Sequence, residues 1–206
     1  MPFVTFEGVE GSGKTTQVRL AAEKLRAMGL PVEATKEPGG TEIGEKIRAI
    51  LLDVAHGHLE AVSEWLLYEA DRRQHVAEVL RPAVAAGRFV LCDRYSDTTE
   101  AYQQVGRGID ANLLRQVDAL ARGGLEPDLT ILYDVDPEAG LSRAHRRDGH
   151  VGRFEGAALD FHRRVREAYL AIARREPGRV RVVPAGGETE EVFRETWRVL
   201  AERFSL

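Results

Sequence analysis

Gly8-Val9-Glu10-Gly11-Ser12-Gly13-Lys14-Thr15 sets one lysine and one hydroxyl directly behind a glycine-rich turn, in the G-x-x-x-x-G-K-[ST] spacing that wraps phosphate. Gly8, Gly11 and Gly13 let the backbone bend until its N–H groups converge on an anion. A helix starting at Lys14 or just after it would add the partial positive charge of its N-terminus. Lys14 would then reach the β- and γ-phosphates of a nucleotide, and the Thr15 hydroxyl would hold Mg2+. Asp93, at the end of the apolar run Arg88-Phe89-Val90-Leu91-Cys92, stands where a second acid on the metal side is expected. Arg143, Arg146, Arg147 and Arg153 lie among glycines between two helical patterns, as a cationic flap would.

These groups need elements to carry them. Apolar Met1–Phe6 reads as a strand leading into the loop, and Val18, Ala21, Ala22 and Leu25 recur at helical spacing after it. Further strands are expected at 32–36, 88–92, 129–135 and 180–184. Between the second and third, Glu37-Pro38-Gly39-Gly40 is a turn with a candidate cis peptide bond. Thr41 is the N-cap of a helix with an apolar stripe of Ile43, Ile47, Ile50 and Leu51, with Arg48 outside it. Residues 59–86 form one long helical region that Pro82 bends and Gly87 ends. Tyr68 and Arg72 share one face of it, as Thr99 and Gln103 do on a later polar helix. Gly106-Arg107-Gly108 reads as a mobile loop, Pro137 opens a helix, and residues 155–176 return to helix. Strands alternating with helices predict an α/β fold, a five-stranded parallel sheet covered on both faces. Ligands then gather at the C-terminal strand ends. With no linker, repeat or low-complexity segment, 1–206 is expected to be one domain, with a short lid at about 143–154.

Composition narrows the classes. Hydrophobic residues make up 43 % and charged residues 30 %, ordinary for a soluble globular chain. No apolar run is long enough to span a membrane, and Glu7 and Glu10 interrupt any leader-like stretch. Cys92 is the single cysteine, which excludes an internal disulfide and a cysteine-based zinc site and points to a buried, inert thiol. His56 and His58 sit in a loop without partners and are expected to be solvated. The net charge of −4 argues against a nucleic-acid partner, and the whole favours a cytoplasmic enzyme. A switch GTPase would need an Asn/Thr-Lys-x-Asp motif. The only asparagine, Asn112, is helical, and Thr35-Lys36 runs into Glu37-Pro38. A small kinase fits the length.

Several further sets, in order along the chain, are specific as a group: Lys36-Glu37-Pro38-Gly39-Gly40-Thr41, Glu45-Lys46-Ile47-Arg48, Asp93-Arg94-Tyr95, Ala101-Tyr102-Gln103 and Gly106-Arg107-Gly108-Ile109-Asp110. With the phosphate loop through Thr16, the chain resembles the bacterial thymidylate kinases nearly end to end. The resemblance implies a P-loop NTPase fold and phosphoryl transfer from MgATP to dTMP, giving dTDP and ADP for dTTP synthesis. Other acceptors, a deoxynucleoside or another nucleoside monophosphate, are the alternative enzymatic reading, and a silent nucleotide-binding module is a third. The acceptor phosphate is already anionic, its second pKa being about 6. What the reaction needs is therefore cations that bring two anions together.

The resemblance assigns roles residue by residue. ATP is implied at Gly8, Val9, Glu10, Gly11, Ser12, Gly13, Lys14, Thr15 and Thr16, with Arg143 near adenine and Arg153 in the lid; Mg2+ is implied at Thr15 and Asp93. Arg48 and Arg94 resemble the clamp on the dTMP phosphate, with Arg94 also near the transferred group. Tyr68 stands where the family stacks an aromatic ring on thymine. Arg72, Thr99 and Gln103 would contact the polar edge of the base, Tyr102 would crowd the 2′ position, and Glu10 would accept from the 3′-OH. Some relatives carry an arginine directly after the loop carboxylate; here that residue is Gly11. The catalytic set is then Lys14, Arg94 and a lid arginine, Arg147 first, with Arg146 and Arg153 as alternatives. A homodimer is implied by the family alone.

Overall fold

Strand β1 (Phe3–Glu7) is buried along its whole length. A computed structural model describes residues 2–148 and 158–206, apart from the side chains of residues 147 and 148. Four further strands, β2 (Val32–Lys36), β3 (Phe89–Asp93), β4 (Leu129–Asp134) and β5 (Val180–Pro184), join β1 in a parallel sheet of order β2-β3-β1-β4-β5. The register sets Phe6 beside Asp93 and Ile131, so the C-terminal ends of the three central strands form one edge. The chain runs to one side of β1 for β2 and β3 and to the other for β4 and β5, which opens a crevice at that edge.

Alternation along the strands divides the core. Phe89 and Leu91 pack with Val18, Ala21 and Leu25 of α1 (Lys14–Ala27) and with Val199 and Leu200 of α9 (Thr189–Phe204). Val90 and Cys92 turn to the other face and meet Val76, Leu80 and Ala83. Cys92 is fully buried and its thiol is pushed well up by burial, so it is an inert packing group.

The expected long helix is α3 (Ala61–His75), a π-helical turn (Val76–Leu80) and α4 (Arg81–Ala85). Pro82 has no N–H to give the carbonyl one turn back, and the wider turn lies just upstream of it. A second π-helical segment, Glu100–Gly106, follows α5 (Ser96–Thr99) and keeps Tyr102 and Gln103 buried with Thr99. In α2 (Glu42–Leu52), Thr41 Oγ1 accepts from the Gly44 N–H, as the cap reading requires. Its apolar stripe behaves differently: Leu51 is buried, whereas Ile43 and Ile50 are 48 % and 42 % exposed. Ile43 and Ile50 face away from this chain's core, while Ile47 is half-buried. The Gly106–Gly108 segment is not the loose loop expected, because Arg107 pairs with the buried Glu64 and lies over the Phe161 ring. The other helices are α6 (Ala111–Arg122), α7 (Pro137–Asp148) and α8 (Leu159–Arg175).

Candidate active site

Three left-handed glycines shape the turn between β1 and α1; Gly13, at φ 87°, is the N-cap of the helix. Gly11 has a second reason to lack a side chain. A Cβ there would lie 1.8 Å from the carbonyl oxygen of Gly140, in the first half of α7, and one on Gly140 would come 2.4 Å from the Glu10 carbonyl oxygen. The root of α7 is packed on the phosphate loop, glycine to glycine.

Lys14 folds into its own loop, donating to the Val9 carbonyl at 2.8 Å and to Ser12 Oγ at 3.2 Å. Burial, with Arg94 nearby, brings its ammonium down to about 8, although Asp93, Glu10 and Glu7 pull the other way. The Thr15 hydroxyl donates to Asp93 Oδ2 at 2.5 Å. Two hard oxygen donors at that separation suit Mg2+, which takes few protein ligands and completes its shell with water and phosphate. Among the described residues no group of three or more metal-binding side chains occurs.

A second group surrounds Glu10. Tyr102 places its hydroxyl 2.7 Å from both Glu10 oxygens, Arg94 Nη2 is 3.4 Å from Oε1, and His162 Nδ1 is 3.2 Å from Oε2. Burial opposes ionisation, but His162, Arg94, Lys14 and Tyr102 together hold the carboxyl down at about 2. Glu10 is thus a charged acceptor fixed beside the phosphate loop. Arg94 itself sits in the left-handed region at φ 72°, which turns its side chain back over the loop to donate to the Gly8 carbonyl at 3.1 Å.

The third group lies under the turn after β2. Glu37-Pro38 is cis. Arg48 donates to the Pro38 carbonyl at 2.8 Å. The Gly39 N–H donates to Asp71 Oδ1 at 3.0 Å; burial and then Glu37 push that carboxyl up to about 6. Glu37 accepts from Arg72 Nε and lies 2.9 Å from His75 Nδ1. Arg72 is 2 % exposed and also donates to Glu69, Thr99, Asp118 and the Tyr95 carbonyl. The resemblance places Arg72 against a base; in the structure it is buried among carboxylates and reaches Thr99, a contact the sequence did not announce. Gln103 is buried, and its Oε1 has no hydrogen-bond partner among the described residues. Tyr68 is half-buried and packs on the main core.

On the far side of the edge, Arg143 donates to the carbonyls of Ala185 and Gly186 at 2.7 and 2.6 Å, so α7 is tied to the loop after β5. Arg146 is exposed on α7. The side chain of Arg147, all of Arg153 and the lid stretch 149–154 lie outside the described residues.

Glu7, Thr98, Tyr169 and His162 were not singled out from sequence. Tyr169 falls at the helical spacing of the apolar residues Phe161, Val165 and Ile172 of α8, and nothing in that spacing reveals a hydroxyl pointed at the site.

Similar proteins share this frame. Thymidylate kinases from Deinococcus radiodurans and Syntrophotalea carbinolica are 50 % and 46 % identical over 201 and 209 residues, covering 98 % and 99 % of this chain and 97 % of each relative. A solved thymidylate kinase from Ehrlichia chaffeensis superposes with a TM-score of 0.80 at 35 % identity, covering 97 % of this chain and 98 % of that one. The sequence profile of the family described as Thymidylate kinase matches residues 6–196, and the chain belongs to that family.

Proposed function

We propose that this chain transfers the terminal phosphoryl group of MgATP to dTMP, yielding dTDP and ADP. One observation carries the choice of a phosphate acceptor over a hydroxyl. The candidate carboxylates for general base toward a nucleoside's 5′-OH are engaged: Glu37 by Arg72 and His75, Asp93 by Thr15. A monophosphate needs no base, only cations. Arg48 and Arg94 supply them, the first fixed by the Pro38 carbonyl, the second by the Gly8 carbonyl.

Lys14 leaves its internal acceptors for the β- and γ-phosphates, and the loop N–H groups take the remaining oxygens. Thr15 and Asp93 would hold Mg2+, which when bound spreads the charge of the nucleotide phosphates. Glu10, kept ionised, accepts from the sugar 3′-OH, and Tyr102 closes the 2′ side. Gln103 Oε1, without a partner among the described residues, suits the N3–H of thymine, with Thr99 beside it, Arg72 holding Thr99 in place, and Tyr68 supplying the stacking ring. Arg143 lines the adenine side. Because Gly11 leaves the loop without an arginine, the lid at about 143–154 brings one, with Arg147 as first choice. The 206 residues act as one domain, in the cytoplasm, as a homodimer through α2, α3 and α6, where Ile43, Ile50, Leu66 and Leu113 stand 42–48 % exposed.

The deciding experiment is coupled ADP release with MgATP and dTMP, dUMP, ribothymidine monophosphate, CMP, AMP, GMP or thymidine as acceptor. Strong preference for dTMP is expected. Preference for thymidine would overturn the acceptor assignments, and nucleotide binding without any turnover would overturn the kinase reading.

A further inference from the structure

Glu7 is the last residue of β1 and fully buried, yet nothing in the reaction above uses it. Its oxygens reach two partners of Arg94 and the residue next to Arg94. Oε1 accepts the Tyr95 N–H at 2.7 Å. Oε2 accepts the Thr98 hydroxyl at 2.6 Å and the Tyr169 hydroxyl at 3.0 Å. The same two hydroxyl oxygens lie 3.3 and 3.2 Å from Arg94 Nη1, and 2.8 Å from each other.

A hydroxyl has one proton. With those protons directed at Glu7, Thr98 and Tyr169 can offer Arg94 only lone pairs. The carboxylate therefore sets the polarity of both hydroxyls and makes them acceptors for a guanidinium. Nη1 is then occupied on its inner side by Tyr169, Thr98 and the Gly8 carbonyl. Nη2 has only the long contact to Glu10, and Nε has no acceptor among the described residues. The Nε–Nη2 edge is the one free to grip two phosphate oxygens in parallel.

We propose that Tyr169 and Glu7 are positioning residues for Arg94: the Tyr169 hydroxyl, oriented by the Glu7 carboxylate, holds the guanidinium with its Nε–Nη2 edge toward the phosphoryl group in transfer. This rests on the kinase reading above. Tyr169→Phe removes one oxygen and keeps the ring that packs against Tyr102. It is expected to lower kcat about tenfold, as loss of one hydrogen bond to a charged group would, with KM for ATP within about twofold of the parent. In an Arg94→Lys background the same change should cost less than about twofold, because the two residues act through one contact. Glu7→Gln, which turns a donor toward the hydroxyls, should behave alike and serves if the tyrosine variant folds poorly. A full tenfold loss in both backgrounds, or no loss in either variant, overturns the proposal. A second readout needs no turnover. The Arg94 Nε–H resonance, identified by its disappearance in Arg94→Lys, should shift in Tyr169→Phe; an unmoved resonance overturns the cradle even if the acceptor is not dTMP.

Discussion

Lys14 is bonded to its own loop, and burial brings its ammonium down to about 8. Polyphosphate favours the charged ammonium, so ATP binding at pH 8 should draw in roughly half a proton per site. Calorimetry in two buffers of different ionisation enthalpy reads that uptake directly; equal heats would refute it. Arg147 belongs to the same scale. If it acts as an arginine finger, Arg147→Ala should lower kcat by about a thousandfold or more, whereas the same change at Arg146 should not; the reverse result would move the role to Arg146. Much of the residue set was legible because it goes with strand ends: Lys14 and Thr15 open the helix that the loop after β1 leads into, Asp93 and Arg94 stand at the end of β3, and the parallel sheet brings strand ends together. The surroundings of Arg72 were not. Its partners Glu37, Glu69, Thr99 and Asp118 come from four separate segments, and no spacing within any one of them announces a shared guanidinium.

Elements were read well where period or punctuation was strong. The five strands and the Thr41 cap appear as expected. The two π-helical turns escaped, because one residue added to a turn leaves the apolar count nearly unchanged. The α2 stripe was legible as a stripe, but not that Ile43 and Ile50 turn outward while Leu51 is buried, since periodicity marks a face without saying what covers it. Thr41→Ala should cost about 1 kcal/mol through loss of the cap. Urea unfolding would show a lower midpoint at unchanged slope, and an unaltered midpoint would mean that the turn, held by Asp71 and Arg48, fixes the helix start without the cap.

At the scale of the molecule, buried carboxyls shape the response to pH. Burial and Asp97 raise Glu7 from its ordinary 4.5 to about 7, against Arg94, Thr98 and Tyr95, while Asp71 rises from 3.8 to about 6. Each binds its proton more tightly folded than unfolded. Their stabilising contributions are full below the unfolded values and are lost as pH rises through about 6 and 7. Glu10 runs the other way, stabilising above 4.5 and losing that contribution as pH falls toward 2. Stability should therefore decline between about pH 4 and 7 in the parent, and Glu7→Gln should flatten that decline; equal slopes in denaturant titrations would remove Glu7 from the balance. The exposed α2 stripe makes a separate prediction. Replacing Ile43 and Ile50 together by Asp should convert a dimer to monomers in sedimentation, and an unchanged dimer would place the interface elsewhere.

The glycine pair at 11 and 140 also bears on how such a chain can change. Glycine and arginine codons differ by a single nucleotide, so an arginine after Glu10 is always one mutational step away. Here that step is closed: the new Cβ would meet the Gly140 carbonyl at 1.8 Å, well inside van der Waals contact, before any guanidinium found a phosphate. A lineage could gain an arginine at this loop position only after α7 had entered the fold along a different line, so the change would have to cross a valley rather than come by drift.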